Sequence, residues 1–272
     1  MMQLSISLRE AVGSFIRNRS LIVALSKREV IGRYHGSVMG LLWSFFNPLF
    51  MLAVYTFVFS VVFQARWNIA SDSKTEFALM LFAGLIVFNF FAECITRAPT
   101  LIIANATYVK KVVFPLEILP VVVMGAALFH FLVSLVVWLL VYSILFSKIH
   151  LTALLLPLVL IPFMFFVLGL AWFLASIGVF LRDVGQFIGL LTSVLMFLSP
   201  IFYPITALPE EYRFFLSLNP LTPTIEAVRG LLFAGEIPDI AILARYYLAS
   251  LLVFWLGFAW FQRTRKGFAD VL

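Results

Sequence analysis

Few residues in this chain have the type and spacing to do chemistry. Glu93 is the clear ionisable group inside an apolar stretch, and Arg97 follows one helical turn later, well placed for an ion pair. Two readings stand open for that pair: a structural contact near a membrane interface, or a functional charge in a pathway. His35, His130 and His150 are scattered, with no partner at ligand spacing, and read as structural or incidental. The one cysteine, Cys94, excludes an internal disulfide and a cysteine metal site. Asp183 and Glu117 stand alone, so no carboxylate cluster offers a metal site at the membrane edge. No GxxxxGK(S/T) occurs, nor any Gly-Lys dipeptide, and HExxH and GxSxG are missing. The reading is no catalytic residue, no metal and no cofactor in this chain; fuel must be consumed by another polypeptide.

Two aromatic clusters stand out from a background of 31 Phe. The first holds Trp43, Phe45, Phe46, Tyr55, Phe57 and Phe59, and the second Phe197, Phe202 and Tyr203. Aromatic faces stack on the CH faces of sugar rings, and Tyr or Trp adds a hydrogen-bonding group. A path lined by such rings suits a sliding polymer because no single contact is tight, whereas plain helix contacts would use the same residues.

The elements that carry these groups follow from composition. The chain is 63% hydrophobic and 12% charged, with mean hydropathy +1.09, too apolar to hide its surface in a soluble domain of 272 residues. Apolar runs of about 20 residues, the length that crosses roughly 30 Å of hydrocarbon, recur along it. Irregular backbone facing lipid would leave amides unpaired, so the runs must be helices. We read an all-α polytopic membrane protein with six spans at 41–63, 77–104, 118–146, 151–181, 187–202 and 240–261. Residues 1–37 form amphipathic and more basic helices on the cytoplasmic side, and 38–272 the transmembrane domain. Pro48, Pro99, Pro157, Pro162 and Gly169 predict kinks.

Thirteen of the 19 Lys and Arg residues fall in the N-terminal segment, two alternate connections and the tail. The others, Arg66, Lys74, Lys148, Arg213, Arg229 and Arg245, fall on the opposite side beside an acidic cluster, which predicts cytoplasmic termini. The charge of +6 is mainly this topology signal and does not indicate nucleic-acid binding. Leu8, Val12, Phe15 and Ile16 share a helix face while Arg9 and Arg17 point away, the pattern of a helix lying in the interface. Residues 21–34 follow, leading through Gly32, Gly36 and Gly40, which read as a smooth ridge for helix approach or as a flexible elbow.

The predicted fifth span would reach only about 24 Å at 1.5 Å per residue. It then meets Pro200, Pro204 and Pro209, and a half-apolar segment, 213–234, follows. We read 203–235 as a re-entrant hairpin on the outer side, tolerated where it is buried or lines a wet cavity. Between the second and third spans, residues 105–114 place Tyr108, Val109, Val112 and Val113 on one helix side and Lys110 and Lys111 on the other, until Pro115 ends the helix. Such a basic and aromatic knuckle suits docking of a partner, although an ordinary interface helix would look alike.

Taken in order, several segments resemble the membrane subunits of ABC-2-type polysaccharide exporters, over nearly the whole chain. They are Lys27, Arg28 and Glu29 with Arg33 and Tyr34; Gly40, Trp43, Asn47 and Pro48 with Val54 and Tyr55; and the run from Tyr108 to Pro115. Arg182 and Asp183, the run from Ser199 to Tyr203 with Pro204, Asn219 with Pro220, and Arg229 complete them. The resemblance implies a permease of the bacterial inner membrane that forms a homodimer around a central channel, with two copies of an ABC ATPase that hold ATP and Mg. It implies a coupling helix at 105–114 (Tyr108, Lys110, Lys111, Phe114) and a gate helix at 21–34, with Lys27, Arg28, Arg33 and Tyr34 near the pyrophosphate of a lipid-linked, O-antigen-like glycan. Trp43, Asn47, Tyr55, Phe59, Phe197, Phe202 and Tyr203 then become candidates for the channel wall. Rival readings are a drug or small-lipid exporter of the same class, a teichoic acid or capsule glycan exporter, a membrane-embedded glycosyl- or phosphotransferase, and a passive channel.

Overall fold

The computed structural model describes residues 7–62, 74–111, 114–147 and 150–272. Among them the helices, in order, are α1 (Leu8–Arg17), α2 (Arg19–Arg33), α3 (Trp43–Tyr55), α4 (Lys74–Ala104), α5 (Ala106–Lys111) and α6 (Leu119–Phe146). After them come α7 (Leu156–Phe180), α8 (Val184–Leu198), α9 (Glu210–Leu218), α10 (Thr222–Arg229), α11 (Ile240–Thr264) and α12 (Phe268–Val271). Phe63, Arg66, Val112, Val113 and Lys148 lie outside the described residues, as do the side chains of Leu8, Lys74 and Lys111.

Among the described residues five segments are long and apolar enough to cross a membrane: Gly40–Phe59, Thr75–Ala104, Leu116–Phe146, Leu151–Phe180 and Ile240–Val271. The sixth expected span is the 15-residue α8, which stops where Ser199 turns extended before Pro200. It is short for the crossing of about 20 residues that a bilayer requires. Helix ends follow local chemistry. Ser7 accepts from the amide of Glu10 at the start of α1, and Asp239 accepts from the amides of Ala241 and Ile242 at the start of α11. Pro120 and Pro157 sit in the first turns of α6 and α7, where a missing amide proton costs nothing. The first span leaves α geometry after Tyr55, passing into a π-helical turn, Thr56–Val62.

The core forms around α4, the most buried of the five, which touches α6, α7, α8, α10 and the π turn. Its close approach to α7 depends on Gly178, where a Cβ would strike the backbone of Pro99. On the other flank α7 lies against α11 with glycine facing glycine. A Cβ at Gly169 would meet the backbone at Val253, and one at Gly257 the backbone at Gly169.

The N-terminal segment divides its apolar residues between the bundle and the outer surface. α1 turns Ala11, Ser14 and Phe15 inward, with Phe15 stacked on Trp172, while Val12 and Ile16 stay exposed. α2 climbs along α6, where Ser26 donates to the carbonyl of Val122 at 3.2 Å and Gly125 leaves room for it. Gly32 has nothing near it, and Gly36 and Gly40 take positive φ (82° and 49°) beyond the helix. These glycines therefore make an elbow within the chain; the close approach uses Gly125 instead.

Gly169→Leu is expected to destabilise the detergent-purified protein by at least about 1–3 kcal/mol, since neither backbone can retreat without opening the α7–α11 seam. Gly189→Ala, inside α8 where a Cβ meets nothing, is expected not to lower the thermal midpoint.

Candidate functional site

Three helices each present residues three or four apart to one cavity of about 340 Å³. α3 contributes Ser44, Asn47, Met51 and Tyr55; α4 contributes Ile86, Asn89, Phe90 and Glu93; α6 contributes Ala127, His130, Phe131 and Ser134. The end of α2 closes it with Arg33 and Tyr34. Glu93 lies eleven residues from the end of α4, and His130 eleven from the start of α6. Each is therefore about 16 Å along its helix at 1.5 Å per residue. Arg33 and Tyr34 thus reach deep between the spans.

The charges in this wall are already paired. Arg33 donates to Glu93 Oε1, and His130 Nδ1 lies 3.1 Å from Glu93 Oε2. If Nδ1 carries the proton, Nε2 is free to accept from the Tyr34 hydroxyl at 3.3 Å. Burial pushes the Tyr34 phenol up, which keeps it protonated as a donor. The i,i+4 partner expected for Glu93 is a poor one, since Arg97 sits 3.9 Å away and pairs instead with Glu29 of α2. The reason is tertiary: α2 brings a carboxylate to Arg97 and a guanidinium to Glu93. His130, read as incidental from the sequence, is part of this network. A signal for the cavity was present as polar pairs at i,i+4 within apolar runs, Asn89 with Glu93 and His130 with Ser134.

Tyr55 links the cavity to a series of rings. It neighbours Phe59 (centroids 6.5 Å), Phe59 stacks on Phe202 (5.9 Å), and Phe202 on Phe197 (5.6 Å). Tyr203 donates to the carbonyl of Phe197 at 3.1 Å and so holds the turn beneath that ring. The structure therefore gathers Asn47, Tyr55, Phe59, Phe197 and Phe202 along one line with Arg33, Tyr34 and Glu93. Trp43 does not join them; it stands on the first turn of α3, 47% exposed, away from the cavity.

The turn after α8 is fastened by Arg229, which the charge pattern placed on the side opposite the termini. It is 4% exposed, because α10 turns it into the bundle. It donates to the carbonyls of Met80 at 2.8 Å and Ile201 at 2.8 Å, to that of Pro200, and to Glu226 at 3.2 Å. Gly84 makes room, since a Cβ there would lie 2.7 Å from the guanidinium. Asn219 adds a second tie, from its amide to Ser199 Oγ at 2.9 Å.

Near the other end, the Tyr108 ring of α5 lies face to face with Phe114 (4.5 Å, 13°), and its hydroxyl accepts from Arg28 at 3.4 Å. Lys110 is exposed and reaches the carbonyl of Leu272. Lys27 shares an open groove on α2 with Arg28 and His35 and lies apart from the cavity.

A bundle of long apolar helices around a polar cavity defines a multi-pass membrane protein. The family model for the ABC-2 type transporter matches residues 20–233, and the chain belongs to that family. It is 28% identical over 254 residues to the O-antigen export system permease protein RfbA of Myxococcus xanthus, covering 93% of this chain and 95% of that one. The RfbA permease of Klebsiella pneumoniae matches at 28% over 255 residues, with the same coverage. The polysialic acid transport protein KpsM of Escherichia coli matches at 24% over 251 residues, 90% of this chain and 93% of that one.

Arg229→Ala strands the buried carbonyls of Pro200 and Ile201 and is expected to cost at least about 3 kcal/mol, read as a fall in thermal midpoint. Gly84→Val, which displaces the same guanidinium, should fall in parallel.

Proposed function

We propose that this chain is the permease of an exporter that moves a lipid-linked polysaccharide across the bacterial inner membrane, driven by a separate ATPase. The observation that carries the reading is the continuous line from a polar cavity, through Tyr55, to the stacked rings of Phe59, Phe202 and Phe197. Asn47, Asn89 and Ser134 offer hydrogen bonds that suit sugar hydroxyls, and the rings beyond offer shallow apolar faces. The carboxylate in the cavity wall, Glu93, is occupied by Arg33 and His130, a poor arrangement for acid–base chemistry. The names of the relatives supply the substrate class: O-antigen for the permeases at 28% identity and polysialic acid for the one at 24%. An O-antigen-like glycan on undecaprenyl pyrophosphate is therefore preferred, and a capsule glycan is the second reading.

In this reading two copies of the chain enclose the path and two ABC ATPase subunits, which hold ATP and Mg, bind at the cytoplasmic side with both termini. The exposed apolar side chains of α3, the π turn after it and α8, Phe50, Phe57, Phe187 and Leu190 among them, are candidates for burial against the second copy. α2 acts as the gate helix, with Lys27, Arg28 and Arg33 near the pyrophosphate. α5 with Phe114 acts as the coupling helix, and α9 and α10 form the outer re-entrant hairpin over 203–235. Nucleic acid plays no part.

Co-purified with its ATPase, the wild-type chain should hydrolyse ATP faster when the lipid-linked glycan is added, whereas the chain alone hydrolyses none. Turnover by the isolated chain would end this reading. Replacing Phe59 and Phe202 together by Ala should lower export at least about tenfold while detergent-stable dimer and basal ATP hydrolysis persist. If the two rings serve only as core, a loss of about 3–5 kcal/mol each makes dimer yield fall with export. Lys110→Glu with Lys111→Glu should abolish co-purification of the ATPase without loss of inserted protein.

A further inference from the structure

Glu117, isolated in the sequence, joins four elements in the structure. Its side chain is 9% exposed. Ser14 of α1 donates to Oε1 at 2.8 Å, and Arg265, just past the end of α11, donates to Oε2 at 2.7 Å. Through its other terminal nitrogen Arg265 donates to the carbonyl of Phe114 at 2.9 Å. Trp172 of α7 donates to the carbonyl of Glu117 itself at 2.9 Å. Phe114 carries the connection onward, since its ring lies against Tyr108 of α5, while α12 rests on α5.

Topology alone does not explain this arrangement. A cation that only sets orientation can stay solvated, whereas Arg265 is drawn onto a buried carboxylate, and withdrawing two charges from water is costly. The guanidinium fork also fixes direction, because its two arms hold a carboxylate and a carbonyl at once. A shift of Phe114 therefore pulls on Arg265 and Glu117 together, and through Ser14 on α1.

We propose that Glu117 and Arg265 are the joint that carries a displacement of α5 to the end of α11 and to α1, as positioning residues of the transport cycle. The proposal rests on the reading of α5 as the seat of the ATPase.

The test uses the transporter reconstituted with its ATPase in proteoliposomes, with a fluorophore-tagged undecaprenyl diphosphate oligosaccharide as probe. The quantity read is probe moved per ATP hydrolysed, because both numbers scale with folded protein and a merely stabilising contact leaves their ratio alone. Arg265→Lys keeps the charge but loses the fork, and Glu117→Gln keeps the bond to Ser14. Each should retain the ATPase while the ratio falls about tenfold. The double variant should fall no further than either single one, as expected of a pair acting as a unit. An unchanged ratio overturns the joint, and so does failure of both variants to assemble, which would make the contact a structural clasp. The docking reading fails separately: the charge reversal at Lys110 and Lys111 would then leave the ATPase bound.

Discussion

A polar group deep in an apolar bundle has to find its partner inside the protein, because no water is there to take its place. In this chain those partners converge on α4. Arg229 reaches the carbonyl of Met80, Trp138 donates to that of Leu79 at 2.9 Å, Arg33 and His130 meet at Glu93, and Glu29 meets Arg97. One helix thus receives polar ties from α2, α6 and α10 along much of its length. That role fits its position as the most buried of the long apolar helices. The cavity lies where two of the ties sit side by side, so the groups that hold α2 in place also form its charged wall.

Glycine sets how tightly the rest can close. Gly178 admits the backbone of Pro99, Gly169 that of Val253, and Gly257 that of Gly169, which makes α4, α7 and α11 a close-set unit. α3 and α8 lie on the margin with large apolar side chains exposed, and the ring series from Tyr55 to Phe197 runs between them and the core. In the proposed exporter, a rigid slab on one side and a more open margin on the other would allow a path to widen without unpairing backbone. The Arg229 clasp would then hold the turn at the far end of that path while the segments beside it shift.

Much of the architecture was legible in the sequence. Apolar run length and proline positions located the long helices to within a few residues, because a segment that must pair its own amides in lipid has few alternatives to a helix. The shortness of the segment before Pro200 was visible too, and α8 ends at that boundary. The cavity was legible only in part: Asn47, Tyr55, Arg33, Tyr34 and Glu93 were singled out for different reasons, and nothing along the chain said that they share one wall. His130 was passed over because its partners, Glu93 and Tyr34, lie 37 and 96 residues away.

By itself, then, the order of residues determined the helical membrane class, the positions of breaks and caps, and which side chains had the chemistry for stacking or pairing. These depend on local rules of spacing, backbone freedom and apolar length. Only the tertiary structure decided who pairs with whom. Arg97 turned from its own helix neighbour to Glu29, Glu117 gained Ser14 and Arg265 from opposite ends of the chain, and Arg229 went into the bundle to the carbonyls of Met80, Pro200 and Ile201. The physical reason is that an ion pair or a carbonyl contact is chosen by distance in space. That distance is set by how the helices close on one another, through glycines and apolar surfaces far from the charges themselves.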